Sequence, residues 1–109
     1  PTDVTHAVKA YIDTHFTENL TLASLADRFF ISYSHLSKTF HSTFRMSFTE
    51  YLYMLRMEYA LNLLSNMEKS VQEIAAETGY DNVFNFSRAF KTYYGLAPSH
   101  YRKTLYDRL

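Results

Sequence analysis

Along nearly the whole chain, apolar residues recur at steps of three and four, the period of one face of an α-helix. Val4, Val8, Tyr11, Ile12 and His15 share a stripe, which predicts a first helix from about Asp3 to Phe16. The polar run TENLT interrupts it. Thr21 is placed to cap a short helix carrying Leu22, Leu25 and Ala26. Ser32 is placed to cap another, with Leu36, Phe40 and Thr43 on its inner side. Ser47 and Glu50 have the spacing of a capping box, in which each side chain satisfies the other residue's backbone N–H. That box opens a long amphipathic helix, Ser47 to about Ser65, through Phe48, Leu52, Leu55, Tyr59, Leu63 and Leu64. Ser70 and Glu73 repeat the box before a short helix with Val71, Ile74 and Ala75, which Gly79 ends. Asp81 is the expected cap of the next helix, whose Phe86, Phe90 and Tyr93 turn inward. Pro98 suits the first turn of a last helix carrying Tyr101 and Leu105. With two glycines and two prolines, the chain is too poor in turn residues for a β protein. The expected fold is all-α, with seven helices.

The short helices come in two sets. Residues 22–52 align with residues 71–102 across one gap. Leu22, Leu25 and Ala26 then meet Val71, Ile74 and Ala75, and Leu36, Ser37, Lys38 and Phe40 meet Phe86, Ser87, Arg88 and Phe90. Met46 meets Leu96, and Tyr51 meets Tyr101. This is an internal repeat of about 31 residues, each copy a short helix, a tight turn and a second helix. The expected organisation is two helix-turn-helix subdomains, about 1–46 and 66–109, joined by a long central linker helix at 47–65.

Composition narrows the chemistry. Of 109 residues 47% are apolar and 17% are Phe or Tyr, enough for a small core. Cysteine is absent, which excludes disulfides, thiolate metal sites and a cysteine nucleophile. The five histidines show no HExxH spacing, so no metal or other cofactor is expected. No Gly-rich phosphate loop, paired carboxylates or nucleophile–base set is visible, and an enzyme is not expected. No run nears the ~20 apolar residues that cross a bilayer. No signal-peptide pattern opens the chain, and no membrane partner is expected. A start at Pro1 rather than Met is what a fragment of a longer protein would show.

Net charge is zero, so the whole chain is not a basic protein. Its charges are nevertheless segregated. From Ser32 to Met46 there are Lys38, Arg45, two histidines and no acid, and from Asn82 to Tyr94 there are Arg88, Lys91 and no acid. At about 100° per residue, Phe86, Phe90 and Tyr93 share one side of their helix. Phe84, Ser87, Arg88 and Lys91 point the other way, with Asn85 on the flank. In the first copy Ser34, Ser37, Lys38 and His41 face out, with His35 on the flank. A second helix presented after a short turn is the geometry that enters a DNA major groove. Arg and Lys reach guanine edges, Asn pairs with adenine, Ser is tolerant, and Phe meets a thymine methyl. The competing reading is a helical protein-interaction module that uses Phe84 and nearby tyrosines without DNA.

The stretches SVQEIAAETGYDNVFNFSRAFKTYYGLAPSHYR and SFTEYLYMLRMEYALNLL resemble the second helix-turn-helix signature and the connecting helix of AraC/XylS-type transcription regulators. The resemblance covers nearly the whole chain. It implies a DNA-binding domain that sets two recognition helices into successive major grooves of double-stranded DNA, in the cytoplasm. By family position, Ser34, Ser37 and Lys38, then Val83, Phe84, Asn85, Ser87 and Arg88, are implied to face bases. The family also implies a separate sensing domain, an activator or repressor role, and RNA polymerase as a partner of an activator. The isolated domain is expected to be a monomer, with dimerisation of the longer protein left open.

Length fits the resemblance. A linker helix from Ser47 to Ser65 would span ~28 Å at 1.5 Å per residue, against the ~34 Å between grooves on one face of DNA. The departures lie at Phe30 and Arg45, where the family often has glycine, and at Ala97, where a Ser or Thr cap is common. Positive φ at Phe30 or Arg45 would cost roughly 1 kcal/mol or more; otherwise the turn is built differently, and Arg45 is free to reach a phosphate. Arg56 is expected to pair with an acid such as Glu73 or Glu77 rather than with a phosphate. Tyr51, Tyr59 and Tyr101 are expected in the core with their hydroxyls at the rim, and the methionines as fillers or surface residues.

Overall fold

A computed structural model of the protein describes residues 4–108. Among these residues there are seven helices and no strand: α1 Val4–His15, α2 Leu22–Arg28, α3 Tyr33–Phe44, α4 Phe48–Leu64, α5 Val71–Glu77, α6 Val83–Tyr94 and α7 Pro98–Tyr106. Asp3, the expected start of α1, lies outside the described residues. The chain divides into two compact units, Pro1–Leu55 and Arg56–Leu109, so α4 gives its first half to one and its second half to the other.

The first unit packs α1, α2, α3 and the start of α4 around Val8, Ile12, Leu25, Ala26, Leu36, Phe40, Phe48 and Tyr51, all buried. The Phe40 ring meets Phe44 at 4.8 Å and Tyr51 at 5.9 Å. Tyr51 donates its hydroxyl hydrogen to Asp13, and Lys9 bonds the same carboxylate at 3.0 Å while lying over the Tyr51 ring. A buried ring whose polar tip finds a partner at the rim matches the expectation for Tyr51.

The second unit buries Ile74, Ala75, Phe86 and Phe90 with Met57, Ala60 and Leu64 from the latter half of α4. Arg102 closes the end of α4, donating to the backbone oxygens of Leu64 at 3.2 Å and Asn66 at 3.1 Å. The Leu64 carbonyl is one that a helix end leaves without an intrahelical partner, while that of Asn66, beyond the helix, also accepts from the Lys69 N–H at 3.1 Å. Aligned positions of the repeat are buried in both units: Leu25 and Ile74, Ala26 and Ala75, Leu36 and Phe86, Phe40 and Phe90.

Three expectations need correction. Thr43 and Tyr93 are exposed, and the residues after them, Phe44 and Tyr94, are half-buried instead. In both units the last inward side chain stands four residues beyond the buried phenylalanine, Phe40 or Phe90, where its ring packs edge-on or tilted against that phenylalanine with centroids 4.8 Å apart. Helix α4 is not amphipathic along its length. Counting about 100° per residue, the buried Phe48 and Tyr51 fall on one side of it, and Met57, Ala60 and Leu64 on another. Each half faces its own core, so no single apolar stripe survives. Finally, Asn82 rather than Asp81 caps α6, its Oδ1 accepting from the N–H of Phe84 at 2.7 Å and of Asn85 at 3.1 Å.

Candidate nucleic-acid interface

Each unit builds its outward helix in the same order: capped short helix, left-handed turn, capped second helix. In the first unit Thr21 accepts from the Ser24 N–H at 3.0 Å and Ser24 accepts back from Thr21 at 3.3 Å. Helix α2 then ends in a turn where the N–H of Phe30 bonds Asp27 at 3.3 Å and that of Ile31 bonds Ala26 at 3.0 Å. In the second unit Gly79 bonds Ala76 at 3.1 Å and Tyr80 bonds Ala75 at 3.0 Å in the matching pattern. This paired closure needs a left-handed residue. Gly79 supplies it at φ 98°, and Phe30 at φ 56°. The turn is therefore built alike in both units, with a phenylalanine, 96% exposed, where glycine would be unstrained. Helices α6 and α3 end likewise, on Gly95 at φ 88° and on Arg45 at φ 62°.

Ser32 Oγ accepts from the His35 N–H at 3.1 Å and starts α3. From that start Ser34, His35, Ser37, Lys38 and His41 are all exposed. Tyr33, 57% exposed, stands beside them and is absent from the expected set. Its signal was available, since the repeat aligns it with Val83. A cleft of about 780 Å³ opens at this face, lined by Tyr33, Ser37, Lys38 and His41 of α3 and by Ser47 and Thr49 at the start of α4, among others. No carboxylate lines the cleft. Nearby, Ser47 donates its backbone N–H to Glu50 at 2.8 Å. That bond, with the Ser47 side chain and the neighbouring His41, holds the Glu50 carboxyl below its ordinary value.

On α6, Phe84, Asn85, Arg88 and Lys91 are exposed, while Val83 and Ser87 are half-buried. The structure thus brings four of the six expected residues of this helix fully to the surface. Arg56 is half-buried with its guanidinium 5.6 Å from the centre of the Tyr80 ring. Burial pulls its pKa below the usual value, against the opposing influence of Tyr80 and Asp81. The acids expected to pair with it are engaged locally, Glu77 with Lys69 at 2.7 Å and Glu73 with the Ser70 N–H at 2.9 Å. The Tyr80 ring adds an aromatic face beneath the planar guanidinium. Among the described residues no group of three or more His, Asp or Glu could hold a metal ion, and no helix is long and apolar enough to cross a membrane.

Two units of this construction define a double helix-turn-helix domain. Residues 25–104 match a family model described as a helix-turn-helix domain. The chain belongs to this family, as a DNA-binding domain of the AraC type of transcription regulator. The C-terminal domain of AraT, a response regulator from Geobacillus stearothermophilus, is 36% identical with a TM-score of 0.90, over 94% of this chain and 86% of that one. The DNA-binding domain of AdpA, a global transcriptional factor solved with a target DNA, is 25% identical with a TM-score of 0.90, over 98% of this chain and 96% of that one. The Msm operon regulatory protein of Streptococcus mutans is 34% identical over 90% of this chain. This chain spans only 35% of that relative's length.

Proposed function

We infer that this chain binds double-stranded DNA sequence-specifically, through α3 and α6 set into successive major grooves, as the DNA-reading part of a transcription regulator. The observation that carries this reading is the pair of exposed, acid-free helix faces with a cation at the aligned position, Lys38 in α3 and Arg88 in α6. Ser34, His35, Ser37, Lys38 and His41 read or grip one groove. Val83, Phe84, Asn85, Ser87, Arg88 and Lys91 read or grip the other. Similarity to a domain solved on its target DNA supports the same reading. The subdomains on this view are 1–46 and 66–109, with 47–65 as the link. The whole regulator works in the cytoplasm without enzymatic activity of this domain, and meets RNA polymerase if it activates.

A salt titration of binding to a duplex selected from a random pool tests this. Each phosphate contact releases counterions, so affinity falls steeply as salt rises. A flat salt response, or capture of a protein partner with no duplex retained, would favour the interaction-module reading. On the selected duplex, Arg88→Ala should cost about 1–3 kcal/mol at one or two base positions. A uniform loss over all sequences would assign Arg88 to a phosphate.

A further inference from the structure

Phe84 is the largest apolar group on the outward side of α6, 76% exposed. Its backbone is fixed: its own N–H and the next both bond Asn82 Oδ1. The backbone that carries the ring is therefore held in place before any ligand arrives. Asn85 and Arg88 flank it on the exposed surface, and the helix carries no acid. One ring among amide and guanidinium groups is too little for a protein interface, which buries on the order of 800 Å² per partner. The apolar target must be small. On the base edges of the major groove the distinctive apolar feature is the 5-methyl group of thymine.

The geometry points to Phe84 as the reader of a thymine 5-methyl group within the DNA segment bound by the second unit. This rests on the DNA-binding reading above and adds a specific base feature to it. Ser34 is the aligned residue of α3 and has no comparable surface. The methyl dependence is thus confined to one segment of the site, which gives a direction to an otherwise repeated reader.

The test uses the full chain and its selected duplex. Each thymine is replaced singly by uracil, which removes the methyl and keeps the pairing and the O4 acceptor. At one position in the second unit's segment binding should weaken about fourfold, the worth of one buried methyl. Phe84→Ala should bind the parent duplex more weakly by a similar factor and become indifferent to that uracil, whereas Phe84→Leu should retain the discrimination. Replacing the T·A pair by C·G and then by 5-methylcytosine·G should recover part of the affinity with the methyl alone. The assignment is overturned if every uracil is tolerated by the parent protein while it still binds the duplex, or if the uracil penalty persists in Phe84→Ala. Failure to bind any duplex is a separate outcome that overturns the DNA reading and this assignment together. Because the ring is exposed, Phe84→Ala should leave the melting temperature unchanged; if it does not, the uracil scan on the parent protein decides alone.

Discussion

The two units reach the same helix-turn-helix with different residues at its hardest places. The second has glycine at both left-handed positions, Gly79 and Gly95, where the first has Phe30 and Arg45. The first has Ser47 and Glu50 boxed at the start of α4, where the second opens α7 on Ala97, which makes no capping bond. Each copy therefore carries a weakness that the other lacks. What they share without exception is the buried set at the centre, Leu or Phe at 36 and 86 and Phe at 40 and 90. Packing density in a small core tolerates little change, whereas a turn bears one strained residue for about 1–2 kcal/mol.

The largest expected effect tests that shared centre. Phe40→Ala and Phe90→Ala should each destabilise by about 3–5 kcal/mol, the usual result of emptying a packed phenylalanine site. Followed by amide hydrogen exchange on the full chain, Phe40→Ala should strip protection first from α1 to α3, and Phe90→Ala first from α5 and α6. Equal loss across the whole chain from either substitution would contradict two separate cores. A loss below about 1 kcal/mol at either site would contradict the close packing of that ring.

Much of this was legible before any coordinates. The seven helices follow from apolar steps of three and four, and the caps Thr21, Ser32, Ser47 and Ser70 from side chains whose oxygens reach the first turn. The exposed face of α3 also follows from helical period. Other features depended on information that periodicity does not carry. The choice between Tyr93 and Tyr94 turns on where the neighbouring ring lies, since both fall near the inward arc. Asp81 and Asn82 are both good caps, and only the backbone, extended at Asn82 with φ −147°, decides between them. Ser87 points outward by its angle alone but is half-buried in the structure.

The next test is smaller and addresses the turns. Phe30→Gly and Arg45→Gly relieve left-handed strain but add unfolded-chain entropy, so each should stabilise by about 0.5–1 kcal/mol. Both side chains are exposed, so little packing is lost. In the other unit Gly95→Ala has open space around the new carbon, yet should destabilise by about 1 kcal/mol because φ stays at 88°. Thermal unfolding of the three variants reads the signs. Stabilisation by Gly95→Ala, or destabilisation by both glycine replacements, would show that these turns do not bear the strain their angles imply.

The smallest effect concerns acid, and here the units should differ in place rather than in kind. The Ser–Glu box sits before α4 in the first unit and before α5 in the second, because Ser24 occupies the first unit's counterpart of Glu73. Bonds from Ser47 hold the Glu50 carboxyl below its ordinary value, and bonds from Ser70 do the same for Glu73. A depressed carboxyl stabilises the fold fully above its unfolded pKa, and that contribution fades as pH falls through the lower, folded value. Acidification from the ordinary glutamate range downward should therefore lower the protection of the Ser47 and Ser70 amides, measured against their intrinsic exchange at each pH, while the Thr21–Ser24 cap of α2 keeps its protection. Glu50→Gln should remove the pH dependence at Ser47 and leave that at Ser70 in place, and Glu73→Gln the reverse. Equal acid sensitivity at all three caps would mean that a general loosening of the chain, rather than these two carboxylates, governs the response.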